Sequence, residues 1–158
     1  MLSVMLREAR DSDVELVLAW RSIPQVYDML YIQHRENRVL DWSEHWKWWK
    51  SRIAWKIFFI QVNDGETTRD VGYINVSQLD HWKPEIAIAI GEVSLWGHGV
   101  AKQALLLGIE WLKERGYKRV HASILKNNER SLRLFKSLDF KIVGDAREDE
   151  CEVELWIV

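Results

Sequence analysis

A stretch late in the chain, LWGHGVAKQALLLG from Leu95 to Gly108, places two glycines directly before an apolar helical pattern. The first N–H groups of a helix lack intrahelical partners and carry partial positive charge, so they attract anions. Gly97 and Gly99 allow the backbone to approach such an anion closely. The turn from Gly97 to Ala101 therefore predicts a phosphate-binding site, although a strand-to-helix turn without a ligand could also use these glycines.

Two common nucleotide-binding loops do not fit this turn. A Walker A loop needs a Gly-Lys pair followed by Ser or Thr, which GHGVAKQ lacks. A dinucleotide-binding loop needs a third glycine and follows the first strand of a doubly wound sheet, whereas this turn lies late in the chain. Both alternatives are therefore excluded.

Acid–base chemistry at such a site needs a nearby titratable side chain, and the sequence offers two main candidates. Glu92 lies at the end of the strand that leads into the glycine turn, where it could also be a solvent-facing residue. His45 lies on a tryptophan-rich helix, where it could also be a packed core histidine. His98, within the turn, is expected to contact phosphate or solvent.

Hydrophobic spacing predicts the elements that position these residues. In the first third we expect a strand and three helices: strand Val4–Arg7, a helix capped by Ser12 and Glu15 and ending near Arg21, a helix Val26–Gln33, and a helix from Asp41 that packs Trp42, His45, Trp46, Trp49 and Ile53 on one face. In the rest of the chain, the same spacing predicts six strands: Ile57–Val62, Val71–Ser77, 86–93, Val120–Leu125, Phe140–Val143 and Val153–Val158. It also predicts two helices there, 99–115 and 129–138.

The order of these elements predicts the fold class. Strand 86–93, helix 99–115 and strand 119–125 form a βαβ crossover, which pairs its two strands in parallel. The other strands follow one another closely enough to pair antiparallel. We expect an α+β fold with a mixed, mostly antiparallel sheet and flanking helices, in a single domain over residues 1–158.

Composition narrows the classes of partner. The chain has 158 residues, 47% of them hydrophobic and 29% charged, with a net charge of -2. This charge predicts no general attraction to nucleic acid or to a membrane surface. No bilayer-length apolar run or signal peptide is evident, and the single Cys151 fits a reducing compartment, so a cytoplasmic location is expected.

From residue 85 to Val158 the sequence resembles the GNAT superfamily of acyl-CoA-dependent N-acyltransferases. The family signature Gln/Arg-x-x-Gly-x-Gly/Ala begins the helix that binds the coenzyme A diphosphate, and Trp96-Gly-His-Gly99-Val-Ala101 matches its second half. A second signature, Asn-x-x-Ala/Ser-x-x-x-Tyr-x-x-x-Gly-Phe, is similar to Asn128-Glu-Arg-Ser131-Leu-Arg-Leu-Phe135-Lys-Ser-Leu-Asp139-Phe140. Two motifs in the right order are more specific than either alone.

The resemblance implies acetyl-CoA as co-substrate, no metal, and an amine acceptor that attacks the thioester directly. The strand segment from Val93 to Leu95 would diverge from the next strand, and the pantetheine arm would fill the gap. The implied cofactor-binding residues are Val93, Leu95, Gly97, His98, Gly99, Val100, Ala101, Asn128 and Ser131. Phe135 stands where the family usually has a tyrosine acid, so no acid is assigned there; a thiolate can leave unaided or water can donate the proton.

The acceptor is expected to bind the N-terminal third. Trp20-Arg21-Ser-Ile-Pro24 and Glu44-His45 resemble segments of GNAT enzymes that acetylate nucleotide-linked amino sugars. Arg21 could bind a diphosphate and Trp48 could stack on a ring, which predicts a small-molecule amine as partner.

The sequence also allows other acceptors and another function. A protein N-terminal amine is the first alternative acceptor, and a non-catalytic acyl-CoA-binding module is the second alternative function. A polyamine acceptor is disfavoured because no carboxylate cluster is evident around the expected pocket. Exposed tryptophans make a homodimer plausible.

Overall fold

The computed structural model describes residues 2–27, 41–51 and 53–158. The strands of this part are β1 (Ser3–Glu8), β2 (Lys56–Asn63), β3 (Thr68–Ser77), β4 (Glu85–Ile90), β5 (Arg119–Leu125), β6 (Lys141–Arg147) and β7 (Glu150–Trp156). Its α-helices are α1 (Val14–Arg21), α2 (Pro24–Tyr27), α3 (Trp42–Lys50), α4 (Val100–Glu114) and α5 (Glu129–Ser137). Short 3₁₀ turns cover Asp11–Asp13 and Val93–Leu95.

All seven described strands form one sheet in the order β1-β2-β3-β4-β5-β7-β6. Strands β1 to β4 form an antiparallel meander, and β5, β7 and β6 pair antiparallel on the other side. The crossover through α4 makes β4 and β5 parallel. The predicted α+β fold with a mixed, mostly antiparallel sheet is therefore confirmed.

Alternating side chains divide the core between the two faces of the sheet. On one face, α4 and α5 pack against β-strand residues through Val100, Leu105, Leu112 and Phe135. On the other face, α1 and α3 contribute Val17, Trp20 and Trp49 to a second buried cluster with Phe59 and Tyr73. Each helix that bears a predicted motif is thus fixed by its own apolar layer.

The sheet opens between β4 and β5. In the described chain the two strands share one register pair, Glu85 and His121, and the His121 N–H donates to the Pro84 carbonyl at 3.0 Å. Beyond this pair the strands diverge toward their carboxyl ends. The expected divergence of these neighbours is present, and it leaves main-chain groups along β4 facing a gap.

The segment after β4 differs from its prediction. Val93 to Leu95 is a 3₁₀ turn rather than a strand, and β4 ends at Ile90 instead of Val93. The reason is that the N–H groups of Gly91 and Glu92 both donate to the Val71 carbonyl, at 2.8 and 3.1 Å. This shared acceptor ends the ladder and turns the chain toward α4.

Two details of the first third were also predicted wrongly. Ser12 and Glu15 do not cap α1: its N-cap residue is Asp13, whose carboxylate accepts the Arg10 N–H at 2.7 Å and so closes the preceding 3₁₀ turn. A 3₁₀ turn precedes the helix and shifts its first residue to Val14. Ile53 does not continue the packed face of α3, because the helix ends at Lys50 and Ile53 is 87% exposed.

The predicted helix Val26–Gln33 is described only in part. Its first two residues belong to α2, and residues 28–33 lie outside the described residues. Within the described ranges, every helix is too short or too polar to cross a membrane.

Candidate functional site

The glycine turn has the backbone conformation that its sequence requires. Gly97 and Gly99 have φ angles of +83° and +79°, in the left-handed region that favours glycine. A Cβ atom built at either position would meet no atom within 4 Å. The glycines therefore serve the path of the main chain, and the space in front of the turn is open.

A cavity of about 220 Å³, here called the small cavity, lies at this turn. One wall is the segment into α4, including Leu95, Gly97, Gly99, Val100 and Ala101. The opposite wall is the start of α5, including Asn128 and Ser131. The structure thus brings together most of the residues that the sequence predicted to bind the cofactor.

Two predicted cofactor-binding residues do not line the small cavity. Val93 packs against the core cluster beneath α1 and α3. His98 is exposed, and its N–H donates to the Leu95 carbonyl at 3.3 Å. Their predicted contacts with the cofactor receive no support from this geometry.

Asn128 both caps a helix and lines the cavities. Its Oδ1 accepts the Ser131 N–H at 3.2 Å and so caps α5. The residue is buried, yet it lines the small cavity and a second one. The cap fixes the amide where it can contact a ligand between the two strands.

The second cavity, here called the large cavity, has a volume of about 420 Å³. Helices α1 and α3 contribute Arg21 and Trp48 to it, and the sheet contributes polar side chains, namely Tyr73, Asn75, Glu85 and Glu150. The two cavities share Ile88, Asn128 and Ser131 as lining residues. They therefore meet at the gap between β4 and β5.

Arg21 and Trp48 are adjacent, as the predicted acceptor site requires. The Arg21 Cζ lies 4.3 Å from the centroid of the Trp48 ring, a cation–π distance. The Arg21 side chain is almost wholly buried, and the Trp48 ring is also stacked on His45 at 5.4 Å. The guanidinium is thus positioned on a supported aromatic face at the edge of the large cavity.

His45 occupies the core rather than either cavity. Its Nε2–H donates to the Val14 carbonyl at 3.0 Å, and the side chain is fully buried. Burial lowers the pKa of His45, with a further lowering by the nearby Arg21 charge. The imidazole is therefore a neutral packing group that joins α3 to α1, and its contact with Trp48 supports the acceptor site indirectly.

Glu92 also lies away from the cavities. Its carboxylate accepts hydrogen bonds from Arg69 Nε at 3.0 Å and from Arg69 Nη2 at 2.9 Å. It lines neither cavity. The two catalytic bases predicted from the sequence, His45 and Glu92, therefore line neither cavity.

Glu85 is a titratable group that the sequence analysis missed. It lines the large cavity at the point where β4 and β5 diverge. Burial raises the pKa of the Glu85 carboxyl, and the neighbouring Glu150 carboxylate raises it further. The alternation of Glu85 with Ala87 and Ala89 along one strand face was a usable signal for this position.

A polyamine acceptor was disfavoured because no carboxylate cluster was evident around the expected pocket, and Glu150 shows that this expectation was wrong. It comes from β7, 65 positions after Glu85, and both carboxylates line the large cavity. Glu150 is 4% exposed, with an Arg147 nitrogen 3.9 Å away. These carboxylates do not form a cluster along the chain, because only the pairing of the strands brings them together.

Two aromatic residues of the large cavity differ in whether they can donate a proton: Phe135 cannot, and Tyr73 can. Phe135 lines the large cavity and packs on Phe140, with ring centroids 4.9 Å apart. Tyr73 lines the same cavity, and burial raises the pKa of its hydroxyl, which therefore stays protonated.

In the described part of the chain, no group of three His, Cys, Asp or Glu side chains could hold a metal ion.

The sequence and the fold match known proteins. A family model for the acetyltransferase (GNAT) domain matches residues 3–141. The uncharacterized protein MJ1062 of Methanocaldococcus jannaschii is 45% identical over 147 residues, which cover 93% of this chain and 30% of that protein. The chain thus spans less than a third of the length of this relative.

Solved structures extend the match to the whole fold. A domain from Methanocaldococcus jannaschii is 43% identical, with a TM-score of 0.94 and coverage of 99% of both chains. The spermidine N-acetyltransferase from Vibrio cholerae, solved with CoA and spermine, has a TM-score of 0.79 at 10% identity and covers 98% of this chain and 95% of its own. The second likeness is one of fold alone. The family model covers most of the chain, and the glycine turn and the diverging strands agree with it. The chain therefore belongs to the GNAT acetyltransferase family.

Proposed function

We propose that this protein transfers an acetyl group from acetyl-CoA to the primary amine of a small molecule, such as a nucleotide-linked amino sugar. The observation that carries the proposal is the meeting of the small and large cavities at Ile88, Asn128 and Ser131. A thioester entering from one cavity and an amine entering from the other would meet there. Direct attack needs this convergence and no covalent enzyme intermediate.

The small cavity would hold the cofactor. The N–H groups of the turn from Gly97 to Ala101, apart from that of His98, which donates to the Leu95 carbonyl, would bind the diphosphate at the start of α4. The pantetheine arm would lie in the gap between β4 and β5, where main-chain groups of β4 can pair with it as a neighbouring strand would. An N–H on this edge would stabilise the oxyanion that forms when the amine attacks the thioester carbonyl.

Glu85 would receive the proton that the acceptor ammonium must lose. It lies three residues before Ile88, or roughly 10 Å along an extended strand, so a chain of several water molecules would carry the proton to it. Its raised pKa makes it a better proton acceptor than an ordinary glutamate once it is ionised. Since Phe135 has no proton to give, the thiolate would leave unaided or take a proton from water.

Arg21 and Trp48 would bind the part of the acceptor that carries an anion and a ring. The planar guanidinium matches two oxygens of a phosphate, and the indole offers a flat face. Glu85 and Glu150 at the sheet end of the cavity would attract the ammonium. An acceptor with an amine at one end and an anion at the other satisfies both ends.

A polyamine is the second candidate acceptor. The half-buried carboxyl of Glu85 and the buried carboxylate of Glu150 favour a ligand with several positive charges. Arg21 opposes such a ligand by like-charge repulsion. A nucleotide-linked amino sugar therefore uses more of the described lining than a polyamine does.

The test is release of free CoA thiol from acetyl-CoA with a panel of amines. The panel contains a nucleotide-linked amino sugar, the same amino sugar without the nucleotide, a polyamine and a peptide with a free N-terminus. We expect turnover to be fastest with the nucleotide-linked sugar. Faster turnover with the peptide or the polyamine would refute this acceptor, and binding without transfer to any amine would refute the enzyme assignment.

A further inference from the structure

We infer that Arg130 positions the cofactor by binding its diphosphate, with its guanidinium held on the indole of Trp96. This inference rests on the proposed use of acetyl-CoA. The Arg130 Cζ lies 3.4 Å from the centroid of the Trp96 ring. Both residues line the small cavity.

The two residues come from opposite walls of the small cavity. Trp96 is the residue directly before Gly97 on the β4 side, and Arg130 is the second residue of α5 on the β5 side. Their stack therefore joins the two walls next to the glycine turn. A cation at this place and the N–H groups of the turn face the same space.

Trp96 acts as a fixed platform. Its Nε1–H donates to the Ile90 carbonyl at 3.0 Å, and the ring packs against both core clusters. The indole N–H is therefore occupied and offers no donor to a ligand. Its function toward the cavity is to orient the guanidinium, whose edge N–H groups stay available to oxygen ligands.

The charge balance of the small cavity points to an anionic ligand. Its described lining contains two cations, Lys102 and Arg130, and no carboxylate. In the described residues, Arg130 has no ion pair with an acid. Arg130 is exposed, and partial desolvation together with the charge of Arg133 lowers the pKa of its guanidinium, so a nearby anion would favour the charged form. The large cavity, by contrast, contains Glu85 and Glu150.

The glycine turn identifies which anion is bound. Coenzyme A carries a diphosphate and, separately, a 3′-phosphate. Only a group at the start of α4 can contact the N–H groups of Gly97 to Ala101, and Arg130 lies beside this turn. The diphosphate therefore fits both partners, with the guanidinium fork on its oxygens.

The experiment measures the dissociation constants of three ligands for three proteins. The ligands are acetyl-CoA, acetyl-dephospho-CoA, which lacks the 3′-phosphate, and S-acetylpantetheine, which lacks all phosphate. The proteins are the wild type, Arg130→Ala and the control Arg133→Ala. Arg133 is a matched control because it lies on the same helix, is highly exposed, forms an ion pair with Glu129 at 3.9 Å and lines neither cavity.

We expect Arg130→Ala to weaken acetyl-CoA and acetyl-dephospho-CoA by roughly tenfold or more, the usual effect of losing a hydrogen-bonded charge partner. Its affinity for S-acetylpantetheine should equal that of the wild type, and Arg133→Ala should stay within about twofold for each ligand. Equal weakening of all three ligands, no weakening, or a loss confined to acetyl-CoA would overturn the assignment. Failure of the wild type to bind acetyl-CoA would instead refute the proposed function, which keeps the two failures distinct.

Discussion

Glu85 on β4 and His121 on β5 form the one register pair that joins these parallel strands in the described chain, with Glu85 Oε2 and His121 Nε2 3.9 Å apart. The pair marks the vertex from which the two strands diverge. A carboxyl with a raised pKa therefore lies at the closed end of the gap, and the glycine turn lies at its open end. This arrangement links acid–base chemistry to cofactor binding through one feature of the sheet.

Glu85→Gln should remove the acid limb of the pH–rate profile. Because the pKa of Glu85 is raised, its carboxyl is ionised only at higher pH than usual, and wild-type kcat should fall as the pH falls through that pKa. The groups that face it are His121, Arg147, Glu150 and Glu152, and none of them is altered by this substitution. We expect a loss of about 100-fold in kcat near neutral pH and a flat profile below it.

The matching substitution at the other candidate base separates the two hypotheses. Glu92→Gln breaks an ion pair with Arg69 outside the cavities, so kcat and its pH dependence should change by less than about threefold. Steady-state kinetics of both variants across the pH range make the comparison. An unchanged profile for Glu85→Gln together with a large loss for Glu92→Gln would reverse the assignment.

Gly99→Val should impair cofactor binding without unfolding the protein. A β-branched residue at φ +79° is strained by roughly 1–2 kcal/mol, and the N–H groups at the start of α4 would be displaced as the turn relaxes. Gly116→Val is the control, because Gly116 has φ +87° with equally open space but lies at the far end of α4. Both variants should lose similar thermal stability, and only Gly99→Val should raise the Kd for acetyl-CoA, by tenfold or more.

Arg21→Ala should raise the KM for an anionic acceptor and leave the affinity for acetyl-CoA unchanged. Loss of a charge-assisted contact is worth about 1.5–3 kcal/mol, or roughly 10- to 100-fold in KM. Initial-rate kinetics with the nucleotide-linked and the free amino sugar provide the measurement. An equal rise in KM for both sugars would show that Arg21 does not bind the anionic group of the acceptor.

His45 should make stability depend on pH. Its pKa in the folded protein is below the ordinary value of about 6.5, so the unfolded chain binds more protons when the pH falls below that value. The free energy of unfolding should therefore decrease between about pH 7 and about pH 5. His45→Gln, which keeps a side-chain N–H donor, should show a smaller decrease by urea unfolding; identical slopes would show that His45 contributes nothing to this dependence.

Local patterns predicted the parts of the site that are made by neighbouring residues. Gly99 and Asn128 each lie at the start of a helix; Gly99 was assigned from the residues around it, and Asn128 from the resemblance of its motif to the family signature. The alternation of Ile86, Ile88 and Ile90 located the strand that borders the gap. These features depend on contacts within a few positions of the chain.

Long-range pairing decided the rest. Glu85 and Glu150 meet only because β5 and β7 lie in that order in the sheet, and Arg130 meets Trp96 only because α5 packs beside the turn. The end of β4 depends on the Val71 carbonyl of β3, which accepts the N–H groups of Gly91 and Glu92 directly after β4. Spacing along one chain does not contain this information.

The binding position of the diphosphate tests the central claim most directly. The measurement is a crystal structure of the protein with acetyl-CoA, in which the oxygens of the diphosphate are located against the main chain. We expect them within hydrogen-bond distance of the N–H groups from Gly97 to Ala101, with the thioester between Ile88 and Asn128. A cofactor bound elsewhere, with the glycine turn unoccupied, would contradict the account.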